Sequence, residues 1–300
     1  MRQRYKVIAI ILALVVVCAL GRECAIRKST PVASITVDEM TPLSLELVYR
    51  GEKPDGMSSV QSMAVTENYF VVAGRPFGSV AQGGETNNKL VIVDRDELRD
   101  ISQEFFNPNK TYEFGHANGM CYNPNERLLT VVGVRNSDGY CDGFVGLSAD
   151  DFKVSDSGTL PCYGNGIAYD GDSDTYIVRN EGNISVLDSA LVNRIGDFEV
   201  STNLTNQDIG YFNGRVYLVN WAYHRNDARA VGIRVNENVI YQVDVRSGEI
   251  LQAFVVREPR MEMESIDFID GEAYALFNGG GGRRGYFYIY RIDFEEKDLG

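Results

Sequence analysis

A short pattern of polar and apolar positions recurs five times along the chain. Each copy opens with an amide or carboxylate residue, continues with a small residue or Asp and then Met or Ile, and closes two positions later with an aromatic residue or Val. The copies start at Gln61, Asn118, Asn165, Gln207 and Glu264, at intervals of 57, 47, 42 and 57 residues. Regular spacing of this kind is typical of a fold made from repeats of one structural unit.

Each copy continues with a polar turn and further segments of β type. The turns include Asn213-Gly214 and Asp270-Gly271, which are strong signals for two-residue hairpins. In the first unit the fourth strand is expected over Thr111–Phe114. Four antiparallel strands in about 51 residues are typical of a β-propeller blade, so the sequence predicts an all-β, five-bladed propeller. An open β-sandwich is the alternative.

The ring of blades is predicted to close through the N-terminal end of the domain. The fifth copy, residues 264–300, lacks a fourth strand, and an unassigned β-type segment lies at 44–50. We expect this segment to complete the last blade, because closure removes an exposed sheet edge. The propeller domain is therefore placed at 44–300, and residues 29–43 are a linker that serves as a tether or an extra edge strand.

The first 28 residues have the composition of an export segment. Arg2, Arg4 and Lys6 precede an apolar run of 14 residues at 7–20, which is typical of a signal-peptide core and short for a membrane span. A cleaved signal peptide and an uncleaved signal anchor both fit this pattern. In either case we expect the domain to be extracytoplasmic, either secreted or anchored to a membrane.

Composition and charge narrow the classes of partner. The chain has 30 Gly, 17 Tyr and 14 Phe, which favours strands and tight turns. Residues 29–300 carry 23 basic and 41 acidic residues, a net charge of −18. A domain with this negative charge repels the phosphate groups of nucleic acids and anionic lipids. We therefore expect that it does not bind nucleic acid and that it contacts a membrane only through the N-terminal segment. We expect a monomer.

The polar residue that opens each copy is the first candidate for a binding site. The first strand of each propeller blade lines the central channel, so these side chains are expected to ring one mouth. The candidate ring consists of Gln61, Asn118, Asn165, Gln207 and Glu264, with Asp208 adjacent. The side chains either bind a polar ligand or cap backbone groups between blades. No cofactor is expected, although Ca²⁺ is the cation that an oxygen-only ring suits.

Aromatic and histidine residues add further candidates. His116 lies two residues before Asn118, near the expected mouth. The single Trp, Trp221, begins a long segment, 221–237, that also holds Tyr223 and His224. Such a cluster is typical of a binding rim for sugar or peptide, and packing of a loop on its own blade is the alternative.

Export also makes a disulfide plausible on chemical grounds. Cys141 precedes the third strand of the second unit and Cys162 follows its fourth, so antiparallel pairing brings the two together. The prediction is a Cys141–Cys162 bridge with Cys121 left as a buried thiol. Three independent thiols are the alternative.

One stretch resembles a known family. Residues 207–221 resemble the Asn-Glu-Leu-Glu-Tyr to Asn-Val-Trp stretch of the plant and bacterial glutaminyl cyclotransferases, which are five-bladed propellers, and Ile240–Gly248 continues the likeness. Gln61 matches the Gln of the family's Phe-x-Gln-Gly-Leu motif. The family's Phe-Gly-Glu-Gly is His116–Gly119 here, so Asn118 replaces the residue of proton transfer, and an amide does not titrate usefully.

The sequence therefore favours binding over catalysis. No Gly-x-Ser-x-Gly elbow and no His-Glu-x-x-His motif is present. The first hypothesis is an exported or membrane-tethered propeller that binds a peptide, glycan or protein at the cell surface. The alternative is a cyclotransferase-like or glycan-active enzyme that uses Asp208, Glu264 or His116.

Overall fold

The structure is a computed structural model, and it describes residues 39–76, 87–107, 109–134, 142–200, 202, 204–279 and 285–295. Within these ranges the chain forms 21 β-strands and two short helices. The predicted export segment at 1–28 and most of the predicted linker lie outside the described residues. No helix in the described ranges is long and apolar enough to cross a membrane.

The strands form five sheets of four antiparallel strands each, and one of these sheets has a fifth, parallel strand at its edge. Two strands come before the first blade, β1 (Thr41–Pro42) and β2 (Ser44–Glu52). Blade one contains β3 (Met57–Val65), β4 (Tyr69–Pro76), β5 (Lys89–Asp94) and β6 (Arg99–Asp100), followed by helix α1 (Ser102–Phe105). Blade two contains β7 (Gly119–Asn123), β8 (Leu128–Val134), β9 (Gly143–Ser148) and β10 (Val154–Thr159).

The remaining blades follow the same order. Blade three contains β11 (Gly166–Asp170), β12 (Thr175–Asn180), β13 (Asn183–Asp188) and β14 (Arg194–Glu199). Blade four contains β15 (Thr205–Phe212), β16 (Arg215–Trp221), helix α2 (Arg225–Ala230), β17 (Asn238–Asp244) and β18 (Ile250–Val256). Blade five contains β19 (Glu262–Ile269), β20 (Glu272–Gly279) and β21 (Tyr286–Asp293). The five-bladed propeller expected from the repeats is thus confirmed.

The N-terminal strand closes the ring as predicted. Strand β2 is the fourth strand of blade five and pairs antiparallel with β21, from Ser44 opposite Asp293 to Glu52 opposite Tyr286. The short strand β1 lies on the outer edge of blade four, where Thr41 pairs in parallel with Phe254 of β18. The segment before the first blade therefore contributes to the last two blades.

Apolar packing between neighbouring blades forms the core. In the described part of the chain there are five buried clusters, one at each blade interface, including the interface of blade five with blade one. Each central strand serves two of them because its side chains alternate between the sheet faces. In β4, Val71 packs towards blade two while Phe70 and Val72 pack towards blade five. This explains why the strands are apolar at nearly every position.

The fourth strand of blade one differs from the prediction. It is the two-residue β6, whereas Thr111–Phe114 forms only an isolated bridge between Tyr112 and Asn88. Tyr112 and Phe114 are buried against blade two, and the Tyr112 hydroxyl donates to the Phe152 carbonyl at 2.9 Å. The segment therefore crosses the gap between the blades and does not extend the sheet.

Candidate functional site

The inner strands of the five blades form a closed ring. Each of β3, β7, β11 and β15 contacts the inner strand of the following blade, and β19 contacts β3. We call the opening where these strands begin the strand-start mouth, and the opening where they end the strand-end mouth. The candidate ring residues lie at or near the beginnings of these strands, at the strand-start mouth.

The channel is filled at its centre on the side of blades two to four. A Cβ atom on Gly119 would lie 2.7 Å from the Gly166 Cα and 2.8 Å from the Asp208 Oδ1 atom, so glycine is required for this close approach. Asp208 is 0% exposed, and its carboxylate accepts the backbone N–H groups of Ile209 at 2.9 Å, Ile167 at 3.0 Å and Met120 at 3.4 Å. Asp208 therefore joins three blades.

The other junctions use the same position of the repeat, one residue after the candidate ring. The Ser62 hydroxyl donates to the Ala117 carbonyl at 2.7 Å, which joins blades one and two. The Ser265 hydroxyl donates to the Met63 carbonyl at 3.1 Å, which joins blades five and one. Contacts between blades thus come mainly from the second residue of each copy, and the first residue remains at the mouth.

The five ring residues have different surroundings. Glu264 is 2% exposed and Gln61 is 8% exposed, while Asn118, Asn165 and Gln207 are half-buried. The Gln61 amide donates within its own blade, to the Val60 carbonyl at 2.8 Å. The Gln207 amide reaches across to blade five and donates to the Glu262 carboxylate at 2.6 Å. The structure thus connects Gln207 with an acidic group that the repeat pattern does not include.

Glu262 and Glu264 form an acidic pair at the start of β19. Glu264 lies at an irregularity in the pairing of β19 with β20, and its side chain hydrogen-bonds to that of Glu262. Burial raises the pKa of Glu264 well above its usual range, and the neighbouring Glu262 raises it further. Burial also raises the pKa of Glu262, whereas the hydrogen bond from Gln207 lowers it. The spacing of two residues was the signal in the sequence for this pair.

Two cationic side chains lie near the pair. Arg75 and Lys53 both lower the pKa of Glu264 and of Glu262 by their charge. Arg75 also contacts His116, with 2.7 Å between the Nη1 and Nε2 atoms. His116 is thus at the mouth, as expected, and is coupled to a cation that the sequence analysis did not select. Lys53 is 6% exposed, and burial lowers its pKa.

Trp221 ends β16 and forms the expected aromatic cluster. The ring centroids of Trp221 and Tyr223 are 4.8 Å apart, and those of Tyr223 and His224 are 4.7 Å apart. The segment 221–237 is not a simple loop, because α2 lies within it. His224 is exposed and precedes that helix.

Arg179 is a buried cation that sequence reasoning missed. It is 0% exposed and donates to the carbonyls of Val219 at 2.7 Å and Gln207 at 3.1 Å, and to the Asn220 side chain at 2.7 Å. Burial lowers its pKa to about 9. Arg179 joins blade three to blade four and fixes the backbone from which Gln207 projects.

Several buried polar atoms at this mouth lack a hydrogen-bond partner within the described ranges. They are Glu264 Oε1, Asn278 Oδ1, Trp221 Nε1 and Arg75 Nε. Buried polar groups are normally paired, so each such atom requires an explanation. Two acceptors and two donors without partners among the described residues are what a bound polar ligand would satisfy.

The described residues provide no metal site and only one of the two cysteines of the predicted disulfide. Among the residues placed by the structure, no group of three or more His, Cys, Asp or Glu side chains is arranged to hold a metal ion. Cys141 lies outside the described residues, so the Cys141–Cys162 bridge stays a prediction. In the structure Cys121 and Cys162 are both free thiols: Cys121 is buried, which raises its pKa, and Cys162 is half-buried.

The fold has a counterpart among solved structures. The glutaminyl cyclase of Myxococcus xanthus matches with a TM-score of 0.55 and 10% sequence identity, over 86% of this chain and 100% of that chain. At this identity the likeness shows the fold alone. The hydrazine synthase of Kuenenia stuttgartiensis has a TM-score of 0.38 and 10% identity, over 74% of this chain and 56% of that chain, which is too low to carry an argument. The sequence matches no family model and no curated protein.

Proposed function

We propose that the protein is a binding propeller that holds the amino-terminal group of a peptide at the strand-start mouth. The observation that carries this proposal is the Glu264 carboxyl group. It is 2% exposed and has side-chain hydrogen bonds with Asn278 and Glu262, but its Oε1 atom has no hydrogen-bond partner in the described part of the chain. A buried acceptor in this state is costly unless a ligand or water donates to it.

The surroundings of Glu264 favour an amine as the donor. Burial and the charge of Glu262 raise the pKa of Glu264 and so favour its protonated form. A ligand ammonium group supplies N–H donors and a positive charge, which stabilises the ionised form of both carboxyl groups. Binding should therefore release a proton from Glu264.

The opposite side of the site suits the carbonyl of the same peptide. The Arg75 Nε atom has no partner among the described residues, and the Arg75 guanidinium contacts His116. A guanidinium N–H donates well to a carbonyl oxygen. Trp221 ends β16 opposite the start of β15, on the same side of the propeller, and its indole N–H has no partner among the described residues. An amine with a carbonyl a few bonds away fits this combination better than a neutral glycan does.

Titration calorimetry with a peptide that begins with glutamine tests the proposal. We expect binding by the unmodified protein, with a heat that depends on the ionisation enthalpy of the buffer because a proton is released. In Glu264→Gln the affinity should fall by about tenfold or more, and the buffer dependence should disappear. Glu249→Gln, at an exposed position of blade four, is the matched control and should behave as the unmodified protein does.

The same peptide with an acetylated amino group separates amine recognition from general peptide binding. We expect the acetylated peptide not to bind, because it cannot carry the ammonium charge. Equal affinities for both peptides, or an unchanged affinity in Glu264→Gln, would contradict the proposal.

Cyclisation of amino-terminal glutamine is a second candidate function for this site. It is favoured by the buried pair of carboxyl groups with raised pKa on a fold similar to that of a glutaminyl cyclase. In this reaction the α-amino nitrogen forms a bond to the side-chain carbonyl carbon, and the bond from that carbon to the amide nitrogen breaks to release ammonia. Glu262 would accept the proton from the amine and Glu264 would donate one to the leaving nitrogen.

Mass spectrometry of the peptide after incubation distinguishes turnover from binding. Loss of one ammonia per peptide in the unmodified protein, abolished in Glu264→Gln and retained in Glu249→Gln, supports the enzyme. Binding without loss of ammonia supports the binding module alone.

Export to the cell surface is also part of this proposal. It is supported by the basic residues and the apolar run within 1–28 and by the acidic body. Labelling of intact cells with a membrane-impermeant amine reagent should modify the propeller. Labelling only after the cells are broken would exclude the surface location without affecting the binding site.

A further inference from the structure

A second acceptor without a partner lies beside Glu264 at the strand-start mouth. It is the side-chain oxygen Oδ1 of Asn278, which is buried and has no hydrogen-bond partner among the described residues. Asn278 is near the end of β20, opposite Glu262 of β19. Its side chain also hydrogen-bonds to the Glu264 carboxyl group, which lowers the pKa of Glu264. The two unpartnered acceptors therefore belong to side chains in direct contact.

The sheet of blade five holds Asn278 in place from both sides. It pairs with Glu262 on β19 and with Phe287 on β21, so it lies in the interior of the sheet. The backbone of the next residue, Gly279, lies against Tyr288, since a Cβ atom on Gly279 would be 2.5 Å from the Tyr288 Cε2 atom. Side chains on paired strands are positioned more precisely than those on loops. The Asn278 oxygen is thus a fixed acceptor.

Glu264 and Glu262 share one proton. Their side chains hydrogen-bond to each other, and a bond between two carboxyl groups needs a proton on one of them. Burial raises the pKa of both, but that of Glu264 rises well above its usual range, while the hydrogen bond from Gln207 lowers that of Glu262. Glu264 therefore donates to Glu262. When Glu264 loses its proton on binding, Glu262 loses this donor and can accept one from the ligand.

Three acceptors are then available to the ligand. They are the Oε1 atom of Glu264, the Oδ1 atom of Asn278 and the carboxylate of Glu262. A primary ammonium group has three N–H donors, one for each acceptor. A secondary ammonium group, as in an amino-terminal proline or an N-methylated residue, has only two. It leaves one acceptor unpaired, and a site built to hydrogen-bond one group discriminates strongly against an analogue that lacks a donor.

Charge does not make this distinction. Primary and secondary ammonium groups carry the same charge, so Arg75 and Lys53, which influence the two glutamates through their charge, affect both kinds of ligand alike. The Asn278 amide is neutral, and its oxygen contributes a hydrogen bond alone. The number of N–H donors on the ligand is therefore the property that Asn278 can detect.

We propose that the strand-start mouth is specific for a primary ammonium group, and that the side-chain oxygen of Asn278 is the acceptor that determines this specificity. The inference rests on the binding of a peptide amino terminus proposed above. The ligand class is then a peptide with an unmodified amino terminus whose first residue is not proline.

Titration calorimetry with two peptides of otherwise identical sequence tests the specificity. One begins with glutamine and the other with N-methylglutamine, so both are cations and they differ by one N–H donor and one methyl group. We expect the unmodified protein to bind the first more tightly by about tenfold or more. Equal affinities overturn this proposal and leave the binding of the amino terminus intact. Failure of both peptides to bind overturns both proposals.

Variants of Asn278 separate hydrogen bonding from lack of space. Asn278→Ala removes the acceptor and makes room, so the preference for the unmethylated peptide should largely disappear. Asn278→Asp keeps an oxygen acceptor and should keep the preference. Asn107→Ala, at an exposed position between blades one and two, is the matched control and should bind both peptides as the unmodified protein does. An unchanged preference in Asn278→Ala, with the variant folded by circular dichroism, would show that shape excludes the methyl group and would overturn the role of Asn278.

Discussion

Three carboxyl groups near the propeller axis, those of the buried Asp208 and Glu264 and the half-buried Asp267, differ in the partners that the fold gives them. Asp208 accepts three backbone N–H groups, and Asp267 accepts those of Val65 at 2.7 Å and Phe268 at 2.8 Å. Glu264 keeps one oxygen without a partner in the described part of the chain. Burial raises the pKa of each, and N–H donation opposes that rise for the two aspartates. The residue with least support from the backbone is the one best suited to a ligand.

The pKa of Asp267 makes stability depend on pH. Burial raises it to about 7, from an ordinary value of 3.8. Between these values the folded state keeps a proton that the unfolded state has lost, so the free energy of unfolding should fall as the pH rises from about 4 to about 7. Linkage sets an upper limit of about 4 kcal/mol for this loss. Urea unfolding across that range measures it.

Asp267→Asn is the matching variant. It removes the titration while keeping the size of the side chain, so the decline in the free energy of unfolding with pH should become shallower. Asp208 and Glu264 contribute in the same direction, so some decline should remain. An identical slope in Asp267→Asn and the unmodified protein would show that Asp267 does not titrate in this window.

The sequence predicted the ring of polar residues, but it did not predict how the residues divide their roles. Gln61 and its equivalents repeat along the sequence, which is the reason why the sequence indicates them as site residues. The contacts between blades are made by the residue that follows each of them, such as Ser62 and Asp208. Arg75 and Arg179 carry no repeat signal, since each is a single basic residue in an apolar strand. Their contacts depend on side chains of neighbouring blades, which a local pattern does not contain.

Among the secondary-structure elements, the hairpin turns are those that the sequence predicted most clearly. Asn213 and Gly214 have φ values of 51° and 76°, and Asp270 and Gly271 have 53° and 79°. Positive φ at both central residues is the requirement of the type I′ turn that the Asn-Gly and Asp-Gly pairs favour. By contrast, the outer strand of blade one was misplaced because Tyr112 and Phe114 have β propensity but pack between blades.

Two glycine substitutions test how much the positive φ of a turn residue contributes to the free energy of unfolding. Gly214→Ala should lower the free energy of unfolding by about 1 kcal/mol, because a residue with a Cβ atom is strained at positive φ while no atom lies within 4 Å of that Cβ. Gly171→Ala is the control, since its φ is not in the positive range and its Cβ would meet only a Tyr169 carbon at 3.7 Å. Chemical denaturation of both variants gives the comparison, and equal losses would contradict the turn argument.

Within blade two, the predicted Cys141–Cys162 disulfide has its own test. Strand β9 begins at Gly143 and β10 ends at Thr159, and these two residues pair with each other. Cys162 thus follows β10 at the end of the sheet where β9 begins. Non-reducing peptide mapping of the exported protein should recover the two as one linked pair, with Cys121 alkylated only after unfolding. Alkylation of both Cys141 and Cys162 without reduction would exclude the bridge.

For the whole molecule, the strongest prediction concerns closure by β2. A chain without residues 29–52 should expose the edge of β21 and the face of blade five, and should be insoluble or molten. A chain without residues 1–28 is the control, because it keeps β1 and β2 and should fold. Thermal melting followed by near-ultraviolet circular dichroism distinguishes them. A monomeric truncated chain with an unchanged Tm would show that closure is not needed.

The pairing of β2 with β21 also determines when the molecule can be finished during synthesis. Strand β2 is made before all five inner strands, yet its partner strand β21 follows all of them. Until β21 is made, β2 has no partner strand in blade five. The blades already formed then have an unpaired strand at each end of the row. Whatever holds the nascent chain must therefore keep residues 44–52 from pairing elsewhere while some 230 residues are made. The propeller can therefore close only after β21 has been made.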